Sequence, residues 1–152
     1  PLNWALDLQI DGDAILELSP LIRAAPVPVI IDTFGYIDFR KGGAGQPAAR
    51  EMIALLRTGR VFVKLHGANR FMDMGVAFAE VVGLARAYIE AAPDQVIWGT
   101  DWDALLAKDT TGLLARTVSF FTNVINAVCH RRRSSGVNCF RSMKRSYFSG
   151  RP

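Results

Sequence analysis

Four short apolar runs, each closed by a polar residue and separated by stretches of helical character, restrict the fold of this chain more than any other feature. Residues 4–10 alternate in strand fashion, 27–31 are β-branched, 60–65 read as the next strand, and 95–99 end in glycine. Between them, Asp11 or Asp13 can cap a helix carrying Ile15, Leu16, Leu18, Leu21 and Ile22, which Pro26 and Pro28 end. A polar, glycine-rich loop over 38–46 leads to a second helix over 47–57, with its proline at the favoured first position. A third helix over 73–92 has a broad apolar face through Phe78, Val81, Val82, Leu84, Ala85, Tyr88 and Ile89. Strand and helix therefore alternate, which predicts an α/β fold with a parallel sheet. The strands end at Gln9, Thr33, His66 and Asp101, and the last two intervals are 33 and 35 residues. That spacing is close to the βα repeat of an eight-stranded barrel of about 250 residues. An open flavodoxin-like sheet is the alternative, but residues 9–13 lack the phosphate-binding glycine loop such a sheet offers after its first strand.

With 152 residues, half of them hydrophobic, the chain can bury one core and not two. No apolar run reaches the roughly eighteen residues of a membrane span, so no membrane partner is expected and the localisation read is cytoplasmic. The start, Pro1-Leu2-Asn3-Trp4, has no basic leader, and the expectation is a piece of a longer folded unit. Charge divides the chain into two regimes. Residues 1–109 hold all fourteen acidic residues and ten basic ones, a net −4, whereas 110–152 hold eight basic and no acidic residues, a net +8. Cys129 and Cys139 both fall in the second part, where only His130 is a neighbouring ligand, so neither a zinc site nor a disulfide framework is indicated.

The stretch Val96-Ile97-Trp98-Gly99-Thr100-Asp101-Trp102 carries one carboxylate to the end of a buried strand, the edge at which α/β enzymes place their chemistry. Together with Val29-Ile30-Ile31-Asp32-Thr33-Phe34-Gly35 and Val63-Lys64-Leu65-His66-Gly67-Ala68-Asn69-Arg70, it resembles the amidohydrolase-2 family of TIM-barrel hydrolases, in particular the lactonase branch acting on 2-pyrone-4,6-dicarboxylate. The resemblance covers residues 1–105 or so and implies the later strands of a (β/α)8 barrel.

What the resemblance implies is attached to individual residues. Asp101 matches the aspartate that binds metal or acts as general base toward the attacking water, and Arg70 matches the arginine that holds a substrate carboxylate. The planar fork of a guanidinium pairs bidentately with such a group. His66 stands where related amidohydrolases carry a metal histidine, and Lys64 can extend its ammonium toward the pocket; both are candidate substrate-binding residues, each with a structural alternative. For Lys64 that alternative is an ion pair with Asp32 or Asp101, for Arg70 a salt bridge with Asp73 or Asp38, and for Asp101 a helix cap. Trp98, Trp102 and Phe34 are assigned to packing. The family usually has His-Met-Gly where this chain has Thr33-Phe34-Gly35, and the family's first-strand His-x-His pair has no counterpart. The resemblance implies a divalent metal, zinc or manganese, held through Asp101 only if other ligands complete the site, since catalytic zinc takes about three. No cofactor follows from the residues themselves.

The predicted organisation is an amidohydrolase-like part over 1–109 and a basic tail over 110–152. Arginine, serine and cysteine enter the tail as acidic residues vanish, which a shifted reading frame near 105–115 accounts for; a genuine disordered tail is the alternative, with an apolar helix over 117–128 in either case. Two functions are expected to compete. One is hydrolysis of a small carboxylated lactone or related C–O or C–N bond by an incomplete copy with little activity. The other is a non-enzymatic remnant or binding protein whose basic tail contacts polyanions, with nucleic acid the less expected partner. Four strands leave two sheet edges, which a second copy or a missing N-terminal half would cover.

Overall fold

The computed structural model describes residues 4–99, and the expectations for Asp101, Trp102 and the basic segment 110–152 lie outside that span. Its strands are β1 (Leu6–Leu8), β2 (Val29–Ile31), β3 (Val61–Leu65) and β4 (Val96–Trp98). They pair in parallel in the order β1-β2-β3-β4, so each strand lies beside its neighbour in sequence. Leu6, Val29 and Val61 stand in line across the sheet, and Val63 faces Val96. The helices α1 (Ala14–Ala24), α2 (Pro47–Leu56), α3 (Ala68–Asp73) and α4 (Phe78–Ala91) fill the connections.

The period of two along each strand separates the sheet into unlike faces. Val29, Ile31, Val61, Val63, Leu65 and Val96 are buried in one core with Ile15 and Ile22 of α1, Leu55 and Leu56 of α2, and Leu84 and Tyr88 of α4. Asp7, Ile30, Phe62, Lys64 and Ile97 point the other way and keep part of their surface in solvent. The α1 and α2 helices are further tied by Glu51, which accepts from Ser19 and, at 2.7 Å, from Arg23.

Two local differences from the sequence reading have clear causes. The helix expected over 73–92 begins only at Phe78, as α4, and an unexpected short helix, α3, precedes it and ends at Gly75, with φ 85°. Gly75 N–H donates to the Met72 carbonyl and Val76 N–H to that of Phe71, the paired reverse bonds of a Schellman cap. At α1, Asp13 occupies the cap position but makes no side-chain cap bond; its carboxylate pairs with Lys41 instead. Among the described residues no helix is long and apolar enough to cross a membrane.

Candidate functional site

At the C-terminal ends of β1, β2 and β3 the face opposite the core turns polar. Asp32 follows β2 directly and His66 follows β3, and their register brings His66 Nε2 to 2.8 Å from Asp32 Oδ1. Lys64, two residues before His66 and therefore on the same face, reaches Asp32 Oδ1 at 3.1 Å and also pairs with Asp7 of β1. One ammonium thus bridges two carboxylates from neighbouring strands, and one of these also orients an imidazole. Burial works to raise the Asp32 pKa, but hydrogen bonds from His66 and Lys64 and their charges outweigh it and hold the carboxyl below the usual range. For Lys64 burial works downward, and the bonds to Asp7 and Asp32 overcome it, leaving the ammonium raised. An ionised Asp32 can only accept, so the His66 proton facing it sits on Nε2.

The turn after β2 supplies the next component. Thr33, Phe34, Gly35 and Tyr36 all have positive φ, at 45°, 57°, 73° and 45°, so four successive residues coil in the left-handed sense. A left-handed conformation costs a non-glycine residue about 1–3 kcal/mol, and three of these four are not glycine. Such backbone persists only where surrounding contacts hold it. Phe34 is fully buried, edge-on to Phe71 with ring centres 5.7 Å apart, and its carbonyl accepts from the buried Tyr88 hydroxyl at 3.1 Å. The turn leaves both the Thr33 backbone nitrogen and its hydroxyl 3.3 Å from His66 Nε2.

Arg70 lies in α3, one turn beyond His66. Gly67, at φ +68°, would place a Cβ 3.2 Å from the Thr33 methyl and 3.3 Å from Arg70 Cδ and Nε. The Arg70 stem therefore crosses the glycine beside Thr33, an approach that a larger residue would obstruct. On the outer side of the turn a cleft of about 560 Å³ is lined by Asp11, Glu17, Tyr36, Phe39, Phe71 and Met74, among others. Gln9, the polar end of β1, donates to the Tyr36 hydroxyl at 3.0 Å and links the two sides of the rim.

Of the residues singled out in the sequence, the structure gathers Lys64, His66 and Arg70 around Asp32 and Thr33, while Asp101 lies outside the described span. Lys64 takes its structural partner Asp32, and Phe34 packs in the core as assigned. Sequence reasoning missed Asp7 as a partner and Asp32 as the hub. The only signal for Asp7 was a charged residue between Leu6 and Leu8 in an otherwise apolar strand.

The family model described as amidohydrolase matches residues 1–114, three quarters of the chain. The chain belongs to the amidohydrolase family. Among its curated relatives, 4-sulfomuconolactone hydrolase of Hydrogenophaga intermedia is 38% identical over 101 residues, covering 66% of this chain and 33% of the relative. The 2-pyrone-4,6-dicarboxylate hydrolase of Comamonas testosteroni is 28% identical over 116 residues, covering 71% of this chain and 38% of the relative. This amidohydrolase chain thus spans about a third of the length of the curated relatives it matches. A crystal structure of a probable 2-pyrone-4,6-dicarboxylic acid hydrolase of Acinetobacter baumannii with citric acid bound superimposes with a TM-score of 0.65 at 22% identity, covering 82% of this chain and 46% of that one. That likeness is one of fold.

The metal implied by the resemblance can be tested on these donors. His66 Nε2 and Asp32 Oδ1 are bonded to each other, and Lys64 already brings a positive charge to the same carboxylate oxygen. No group of three or more His, Cys, Asp or Glu residues gathers with ligand geometry among the described residues. The described residues do not fit a divalent ion, which needs several donors turned toward one point.

Proposed function

We propose that this chain contributes the later strands of a (β/α)8 barrel and, with them, the substrate-binding rim of a hydrolase acting on a small carboxylated lactone. The observation that carries the reading is the convergence of Asp32, Lys64, His66 and Arg70 at the C-terminal edge of a parallel sheet. The lactone class follows from the relatives' names, 4-sulfomuconolactone hydrolase and 2-pyrone-4,6-dicarboxylate hydrolase. Both names describe a ring ester bearing an anionic group, and the rim offers cationic side chains for such a group.

In this reading Arg70 pairs with a substrate carboxylate, while the Lys64 ammonium offsets part of the negative charge of Asp7 and Asp32 on the same face. Asp32 fixes the imidazole with its proton on Nε2, leaving Nδ1 as the basic nitrogen of His66. Asp101, one βα repeat further on, is assigned as the general base toward water. Attack of that water on the lactone carbonyl would give a tetrahedral intermediate, and its collapse would break the ring C–O bond as the proton taken by Asp101 passes to the leaving ring oxygen, giving an open hydroxy acid. The remaining barrel strands are assigned to a preceding half or a second copy, which would also pair with β1 and β4, the outer strands among the described residues. The 1–109 division and an incomplete copy with little activity are part of the same proposal.

Isothermal titration of the purified chain with 2-pyrone-4,6-dicarboxylate tests this directly. Binding is expected, weakened about tenfold by Arg70→Lys, which keeps the charge but loses the fork. Slow ring opening, followed by loss of the pyrone absorbance, is expected to vanish in Asp101→Asn. Absence of binding, or turnover indifferent to both substitutions, would contradict the reading.

A further inference from the structure

We infer that Tyr88, on the far side of the core from the rim, is a positioning residue for His66. Its hydroxyl is fully buried in α4, and across 54 residues of sequence it donates to the carbonyl of Phe34, in the middle of the left-handed turn. Burial pushes the phenol far above its ordinary pKa, so it remains a donor at every accessible pH. The same turn is closed by Gly35 N–H donating to Asp32 and Tyr36 N–H to Thr33, at 2.8 and 2.9 Å. What the turn delivers is the pair of Thr33 atoms 3.3 Å from His66 Nε2.

The chemistry at that nitrogen makes its geometry matter. Nε2 is offered an acceptor, the Asp32 carboxylate at 2.8 Å, and a backbone donor, Thr33 N–H at 3.3 Å. The two favour opposite proton positions on the ring, and the shorter, charged contact prevails. How closely Thr33 approaches is set by a backbone that would relax toward ordinary φ unless held. Tyr88 holds it through a wholly buried hydroxyl bonded to the Phe34 carbonyl. Lactone hydrolysis is not required for this link, so an inactive chain would still show it.

The test is long-range 1H–15N NMR of the imidazoles in the full chain, in which only His66 and His130 contribute. Wild type is expected to show His66 protonated on Nε2, and Tyr88→Phe to shift and broaden the Nε2 resonance. Leu55→Ala, which opens a cavity in the same core on α2, is expected to cost more stability while leaving that resonance in place. Restoring freedom to the turn with Tyr36→Gly in the Tyr88→Phe chain should return the resonance toward its wild-type position. Thr33→Val, which removes only the hydroxyl contact, probes the last link on its own and should also move the signal. An unmoved His66 resonance in Tyr88→Phe, or in Thr33→Val should the former fail to fold, would overturn the inference. So would an equal shift in Leu55→Ala.

Discussion

The two faces of one four-stranded sheet have been given opposite tasks by residues that alternate along the same strands. On the helix side, Val29, Ile31, Val61, Val63 and Leu65 are between fully buried and 1% exposed. On the other side the intervening positions are Ile30, Phe62 and Lys64, followed at the strand ends by Asp32 and His66, all of them only partly buried. The first face obtains its stability from area removed from water. The second spends conformational and desolvation energy on holding charges together. A single-residue slip in register would exchange these roles, so the pattern that builds the core also aims the site.

The largest expected effect lies in the core. Ile31→Ala should lower stability by about 3 kcal/mol through lost burial and a cavity, as read by urea unfolding. Next comes the link between the faces: Tyr88→Phe removes the hydroxyl's bond to the buried Phe34 carbonyl and should cost about 1–2 kcal/mol. On the polar face, Lys64→Met should cost about 1 kcal/mol, because the hydrocarbon stem is kept while two carboxylates lose their counter-ion. The smallest effect belongs to the half-exposed pair between α1 and α2, where Glu51→Gln should change stability by less than about 1 kcal/mol.

The polar face also has a signature in pH. The folded-state pKa of Asp32 lies below its unfolded value of 3.8, so its contribution is complete above that value and is lost as pH falls through the lower folded one. Lys64 runs the other way: its folded pKa is raised above 10.5, so its contribution is full below 10.5 and disappears as pH rises through the folded value. Unfolding midpoints measured from acid to alkaline pH should therefore fall at both ends. In Lys64→Met the alkaline loss should shrink, and the acid loss should shrink with it because Asp32 has lost a partner.

Most of the architecture was legible because it rests on local periodicity. The four apolar runs became four strands in sequence order, and Pro47 opens α2 as its position suggested. The break at Gly75 was missed because apolar residues continue on both sides of it, and only the reverse hydrogen bonds of the cap show the interruption. The left-handed turn was harder to see, since Thr33, Phe34 and Tyr36 do not favour positive φ and one glycine among them does not announce four such residues. At the site, Lys64, His66 and Arg70 were found by motif, whereas Asp7 and Tyr88 act on partners 57 and 54 residues away. Those pairings depend on which strands and helices become neighbours, which local pattern does not encode.

The division between faces is tested most directly by measuring stability and ligand affinity together in Ile31→Ala and His66→Ala. Ile31→Ala is expected to lose about 3 kcal/mol of stability while its folded fraction binds 2-pyrone-4,6-dicarboxylate as wild type does. His66→Ala is expected to cost less stability than Ile31→Ala yet to lose most of that binding, since the ring stands at the strand ends, bonded to Asp32, rather than among the core side chains. Equal losses of stability and affinity in both variants would contradict that division.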